Sequence, residues 1–293
     1  LLIEERADIG DGWYHGVAVN DRIHSSIAAA AGVTLVTDGI AKATLGIRIE
    51  LQVPECFDFP RQRRSERLTP LVITHEVTLR RGARHVEVRT LVENTVRDHR
   101  VRVLFPTGAS RAATYLAEQA FDVVERPIGL RPDNARYKEL EVETAPQQTW
   151  TAVHDGKRGL AVVATGLPET AVRDLPDRPI ALTLLRSFLK AVFTSGNEGG
   201  QIPGTHEFHY HIVPLTGAPD APALCRRGQQ LAAGLRTVSL EPITPTGREV
   251  SAQSDKTLPP AHSFLHVEAG QSVVTAVHRQ SSDVEATVRL FNP

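Results

Sequence analysis

V-I-T-H-E-V-T-L-R-R-G-A-R-H-V-E-V-R-T-L-V-E-N-T-V-R-D-H-R-V-R-V-L-F-P-T, Val72–Thr107, is the stretch whose reading decides the fold. Apolar residues alternate with polar ones: Val77 and Leu79, then Val86 and Val88, then Val101 and Val103. A period of two places the apolar set on one face of a strand and leaves the other face wet. Arg80-Arg81-Gly82-Ala83 sits between the first two runs, with Gly82 supplying the positive φ of a tight hairpin turn. Asn94–His99 reads as a second polar turn and Val101–Phe105 as a third strand of the same sheet. Three antiparallel strands with one apolar face need a second sheet to cover them. The expected fold is therefore an all-β sandwich.

Outward from that stretch the same pattern recurs. Ile27, Val33–Val36 and Ala43–Leu51 read as strands joined at Asp38-Gly39. Asp122–Pro127, Gln147–His154, Gly159–Ala164, Ile180–Phe188 and Glu207–Pro214 read likewise, with Asp155-Gly156 as a hairpin turn. The basic run Arg61–Arg67 reads as a solvated connection. Gly217–Pro222 looks like a linker, and Leu224–Leu235 is the one helical window. Beyond it, Leu235–Leu240, Ser263–Glu268, Ser272–His278 and Glu285–Phe291 read as strands of a small terminal unit. The expected domains are residues 1–216, a large β domain, and 217–293, holding the linker, the short helix and the small β unit.

The totals exclude several function classes. With 293 residues the chain is too long for one small sandwich. The formal net charge of -1 offers nothing to nucleic acid or an anionic membrane. No run approaches the ~20 apolar residues of a membrane span. Two cysteines, Cys56 and Cys225, make no disulfide framework, and the reading is a cytoplasmic protein. There is no methionine, and the chain opens Leu-Leu-Ile-Glu-Glu as if inside a strand, which reads as a fragment.

Two stretches carry candidate chemistry. The opening E-E-R-A-D-I-G-D-G-W-Y, Glu4–Tyr14, breaks every periodicity and combines glycine, carboxylate and aromatic residues. Such loops suit sugars, because aromatic faces stack on pyranose C–H groups and carboxylates accept hydroxyl hydrogen bonds. The plainer reading is a turn whose aromatics cap the sandwich. Asp8 and Asp11 are candidate paired carboxylates, although spacing cannot place a partner across a sugar. The second stretch is Thr194–Thr205, whose Gly196, Gly199, Gly200 and Gly204 let backbone approach a ligand closely. The candidate substrate-binding residues are Asp11, Trp13, Tyr14, Gly199, Gly200 and Gln201. His206, His209 and His211 form the notable histidine cluster, with the last two on one strand face. Without further ligands they are read as holding no metal.

Several segments together resemble glycoside hydrolase family 38, the retaining α-mannosidases, in its C-terminal β region. They are D-I-G-D-G-W-Y (Asp8–Tyr14), E-N-T-V-R-D-H-R-V-R-V-L-F-P-T (Glu93–Thr107), F-D-V-V-E-R-P (Phe121–Pro127), A-L-T-L-L-R-S (Ala181–Ser187), S-F-L (Ser263–Leu265) and V-R-L-F-N-P (Val288–Pro293). G-N-E-G-G-Q-I-P-G (Gly196–Gly204) fits the bacterial branch. The resemblance implies a mutarotase-like β-supersandwich followed by a small C-terminal β domain. It also implies an N-terminal β/α catalytic domain, holding the zinc and the aspartate nucleophile, whose motifs do not stand in this sequence. No catalytic residue and no cofactor is therefore expected here. The expected partners are that catalytic domain and mannosides or oligosaccharides, with the opening loop near the sugar. An exposed aromatic loop would also drive self-association into a homo-oligomer. The alternatives are a stand-alone carbohydrate-binding module and a mutarotase-like epimerase using a histidine and a glutamate.

Overall fold

The computed structural model describes residues 1–12, 14–189, 199–237, 261–263, 265–268, 270–279 and 285–293. The fold is all-β. In chain order the strands begin with β1 (Leu2–Ala7), β2 (His24–Ser25), β3 (Ala31–Asp38), β4 (Lys42–Pro54), β5 (Phe57–Asp58), β6 (Arg63–Arg64) and β7 (Leu68–Arg80). They continue with β8 (Val86–Asn94), β9 (His99–Phe105), β10 (Thr114–Glu118), β11 (Val123–Pro127), β12 (Thr144–Pro146) and β13 (Trp150–His154). Then come β14 (Gly159–Ala164), β15 (Glu169–Val172), β16 (Ile180–Ser187), β17 (Gly204–Leu215), helix α1 (Ala221–Ala233), β18 (Val273–His278) and β19 (Thr287–Phe291).

Two sheets form the sandwich. The larger has nine strands, in the order β11-β10-β13-β14-β17-β8-β7-β4-β3, and the smaller has six, β12-β15-β16-β9-β1-β2. The hairpin at Gly82 joins β7 to β8, with φ +77 at that glycine. The third strand of the deciding stretch departs from expectation. β9 does not extend the β7–β8 sheet; it pairs with β1 and β16 in the other one. The turn that redirects it is held at several points. Asn94 donates to the Ile202 carbonyl at 2.8 Å and accepts from the Val96 amide and from His99 Nε2. Asp98 takes the left-handed φ of 54 and accepts from the Phe57 amide. One short stretch therefore supplies both layers of the sandwich.

The core lies between the sheets. Val101, Val103 and Phe105 of β9 join Ile3, Ile180 and Leu182 in one buried cluster with Ile73, Val92 and Tyr210 of the larger sheet. Phe105 meets Tyr210 edge to face across the gap, with ring centroids 5.5 Å apart. Each such side chain contributes roughly 1.5–3 kcal/mol by burial. Toward its β3 end the larger sheet continues the same apolar rows, but Val33, Leu35, Leu45 and Leu79 are exposed there.

The helix covers the other face of the larger sheet. Asp220 accepts from the Ala223 amide, Pro222 sits in the first turn, and Gly234 follows the last turn with φ +63. Trp150, fully buried, donates to Cys225 Sγ at 3.4 Å. A side chain at Gly228 would overlap Thr149, so helix and strand approach more closely than any other residue would allow. The first compact unit accordingly runs through the helix, Leu1–Ala232, and the second is Ala233–Pro293. The sequence reading divides the chain earlier, near Gly217, because a Pro/Gly/Ala-rich stretch shows none of the burial that follows it.

In the second unit β18 and β19 pair antiparallel, from Val273↔Phe291 to His278↔Thr287. Ser263 and residues 265–268 are not in a strand, contrary to the alternation there. Part of the expected strand Leu235–Leu240, at 238–240, lies outside the described residues. The basic run Arg61–Arg67 is not wholly solvated either. Arg64 is turned inward, and its Nη2 donates to Glu5 Oε1 at 2.6 Å. Among the described residues no helix is long and apolar enough to cross a membrane.

Candidate functional site

The outer face of the six-stranded sheet is charged, and at its centre the charges are buried. On β9 the residues alternating with the core are Arg100 and Arg102, 2% and 1% exposed. The register sets Glu4 of β1 opposite Arg102 and Arg6 opposite Arg100. Arg102 donates to Glu4 at 2.6 Å and to Glu143 at 3.0 Å. Arg173 closes the ring, reaching Glu4 at 2.7 Å and Glu143 at 3.3 Å. Burial pushes the Glu4 and Glu143 carboxyls up, but the two arginines outweigh it and hold both below the ordinary range. Arg100 has less support. Burial and the neighbouring Arg102 cation bring it down to about 10, against Glu169 at 3.3 Å.

Arg186, on the far side of Arg100 in the register, ties this face to the opening loop. Its Nε donates to Asp8 Oδ2 at 2.6 Å, and its Nη2 donates to the carbonyls of Asp11 at 2.8 Å and Tyr14 at 3.0 Å. The planar guanidinium suits such a triple role, since its donors form a rigid fork. Asp8 in turn accepts from the amides of Gly10 and Gly16 and lies 3.2 Å from His15 Nδ1. Burial would raise the Asp8 carboxyl, but His15 and Arg186 bring it down to about 2. Burial is also the main reason the His15 imidazole is lowered, with Asp8 opposing it.

The loop is a tight backbone hairpin, with Ile9 donating to the Gly16 carbonyl at 3.0 Å and Asp11 to the Tyr14 carbonyl at 2.9 Å. A Cβ at Gly10 would overlap the Tyr14 carbonyl, and one at Gly16 would overlap Gly10. Those glycines are required by the crossing itself. Asp11 Oδ1 accepts from the Tyr14 amide at 2.9 Å, and the Tyr14 side chain stands 55% exposed. Trp13 lies outside the described residues.

The glycine-rich segment sits against the same structure. The Arg186 guanidinium lies over the Phe188 ring, 5.3 Å from its centroid. The Phe188 amide donates to the Gly200 carbonyl at 3.1 Å, and a side chain at Gly200 would overlap the ring. A side chain at Gly12 would just touch Phe188 from the opposite loop. Asp11, Tyr14, Gly199 and Gly200 are thus brought to one end of the sandwich, with Phe188 between the loops. Gln201 is otherwise engaged: its amide donates to Asp98 Oδ1 at 2.6 Å and accepts from the Ser187 hydroxyl at 2.6 Å. Gly196 lies outside the described residues.

Beside the loop is a cavity of about 390 Å³, lined by Tyr14, His15, Arg100, Glu143, Glu169 and Arg186 among others. That volume is within the range of small-molecule sites. Arg100 has a buried Nε without a hydrogen-bond acceptor, whereas the Nε groups of Arg173 and Arg6, which also line the cavity, lie 3.3 Å from Glu143 and 3.6 Å from Asp21. The sequence reading finds the loop but not Arg186 or Phe188. Their one local signal is a charge and an aromatic closing the apolar run I-A-L-T-L-L.

The histidine cluster disperses. His206 Nε2 donates to the Ile202 carbonyl at 2.8 Å, His209 pairs with Glu207 at 2.6 Å, and His211 faces His85 with ring centroids 4.7 Å apart. The donor atoms of His206, His209 and His211 do not converge on one ion.

Residues 18–193 match the family described as Glycosyl hydrolases family 38 C-terminal domain. A curated protein of Halalkalibacterium halodurans, named "Putative mannosylglycerate hydrolase", is 25% identical over 313 residues. That similarity covers 100% of this chain and 32% of the relative. The crystal structure of an alpha-mannosidase from Enterococcus faecalis V583 superposes with a TM-score of 0.85 at 25% identity, covering 100% of this chain and 33% of that one. A second Enterococcus faecalis structure, of a protein in the Glycosyl Hydrolase Family 38, gives a TM-score of 0.82 at 26% identity. It too is covered only in part, 34% against 100% of this chain. The chain thus spans about a third of the length of the relatives it matches.

Proposed function

Because the chain belongs to the family 38 glycosyl hydrolase C-terminal domain family, we propose that it is the non-catalytic C-terminal part of a retaining α-mannosidase. Hydrolysis and the zinc then belong to an N-terminal catalytic domain, and this region supports that domain and lines the rim of its sugar site. Arg186 is the observation that carries the reading. One side chain fixes the Asp8 carboxylate and two loop carbonyls, and it stacks on the aromatic that abuts Gly200. The result is a preorganised loop presenting Tyr14 and Asp11 beside a cavity, as sites grafted onto rigid elements require. Exposed Val33, Leu35, Leu45 and Leu79 support a covering surface supplied by the rest of the longer protein.

Among mannosides, an acidic one is the first to test. The H. halodurans relative is named for mannosylglycerate, whose glycerate bears a carboxylate, and the buried Arg100 Nε at the cavity lacks an acceptor. The protein is assigned to the cytoplasm, and the fragment is expected to self-associate through the loop and its apolar rim.

The test is to purify this chain and the longer protein and assay both on an aryl α-mannoside, on mannosylglycerate and for mutarotation. The expected outcome is hydrolysis by the longer protein and none by the chain. Mannoside hydrolysis by the chain alone contradicts the proposal, and mutarotation supports the epimerase alternative. Trp13→Ala in the longer protein is expected to weaken turnover by about 1–2 kcal/mol, the loss of one stacking contact.

A further inference from the structure

A second cluster lies away from this site, on the larger sheet. His211 of β17 stands directly opposite Glu87 of β8, and the ring of His85, just before β8, lies 4.7 Å from that of His211. One donor atom from each of His85, Glu87 and His211 can be chosen so that all lie within 4.8 Å of one another. His85 Nε2 is 3.7 Å from Glu87 Oε1. Two ligands on one tetrahedral zinc sit roughly 3.3 Å apart, so modest rotamer changes would bring the three into reach.

Hydrogen bonding leaves part of this cluster unanswered. His211 Nδ1 is buried without a partner. Glu87 Oε1 accepts from Arg80 at 2.7 Å. His85 is met by one nitrogen of Arg227, 3.0 Å from Nδ1 and 3.2 Å from Nε2. One donor cannot satisfy both ring nitrogens well, so this contact is a cation resting against the ring.

We propose that His85, Glu87 and His211 form a binding site for one divalent ion of the zinc class, with Arg227 as the group the ion displaces. Two imidazoles and a carboxylate are a donor set that zinc, cobalt and nickel accept, and three protein ligands leave a coordination position open. The set differs from His206, His209 and His211, for which no metal is expected. It is also independent of the loop and cavity on the other sheet.

The probe is Co²⁺, titrated into the metal-stripped full chain and followed by its visible absorption, with Zn²⁺ as competitor. The expected result is one equivalent, displaced by Zn²⁺, and a thermal midpoint that rises with added Zn²⁺ as linkage demands. His211→Ala abolishes the bands and Glu87→Gln weakens binding at least tenfold, whereas His209→Ala changes neither. Arg227→Gln tightens binding severalfold by removing the competing cation. Should His211→Ala fail to fold, Glu87→Gln and Arg227→Gln carry the test. No saturable binding, binding that survives both ligand substitutions, or unchanged or weaker binding in Arg227→Gln overturns the proposal.

Discussion

The two faces of β9 make the sharpest comparison in the molecule. Val101, Val103 and Phe105 point into an apolar core, whereas the alternate Arg100 and Arg102 point outward and are just as buried. One face is held by non-directional area burial. The other is held by directional ion pairs, each of which depends on a particular partner. A period of two separates these faces correctly but says nothing about whether the polar one is wet. That depends on what the chain folds over it, here the opening loop and the segment carrying Glu143.

The largest expected effects come from breaking either face. Arg102→Ala leaves Glu4 and Glu143 buried without their main cation, and it is expected to cost roughly 3–5 kcal/mol. Phe105→Ala opens a cavity at the inter-sheet contact with Tyr210 and is expected to cost about as much, ~3–5 kcal/mol. Urea unfolding of both variants checks whether the faces are of equal weight. A near-neutral Arg102→Ala would show the charged face to be ornamental.

Acid sharpens the comparison next. His75 is fully buried on the inward side, bonded to Thr90, and burial lowers it to about 4. The unfolded chain takes up the proton near pH 6.5 and the folded one only near 4, so stability falls as pH drops across that window. The slope is up to about 1.4 kcal/mol per pH unit from this group. On the outward side the Asp8 carboxyl is depressed instead, to about 2. Its contribution is complete above the ordinary carboxylate range and is lost only as pH falls from about 4 toward 2. His75→Gln should flatten the upper window and leave the lower one unchanged in unfolding curves taken across pH.

The smallest effect belongs to the exposed pair Arg89–Glu207, 2.7 Å apart on the solvent side of the larger sheet. Glu207→Gln is expected to leave stability almost unchanged, because water and mobile side chains screen such pairs. A cost near that of Arg102→Ala would remove the distinction between buried and exposed ion pairs on which the comparison rests.

Much of the fold was legible in short-range pattern. The Gly82 and Asp155-Gly156 turns, the alternating strands and the helix all follow from local periodicity and turn chemistry. The sheet assignment of β9 did not, since it hangs on Asn94 and Asp98 gripping residues far along the chain, Ile202 and Phe57. The opening loop announced itself by composition, and Gly10 and Gly16 are its steric signature. Arg186 was hidden because its meaning lies in bonds to residues 172–178 positions away. His85 likewise became visible beside His211 only once β8 and β17 were known to pair.

As proposed above, Arg186 holds the opening loop in place for the sugar site of a longer α-mannosidase. Arg186→Lys tests it most directly, because lysine keeps a cation beside Asp8 but cannot also reach the Asp11 and Tyr14 carbonyls in a fixed fork. The measurement is kcat/KM of the longer protein on an α-mannoside, taken with the thermal midpoint. The expected outcome is at least a tenfold fall in kcat/KM with the midpoint lowered by only a few degrees. Unchanged kcat/KM in a folded Arg186→Lys protein would contradict it.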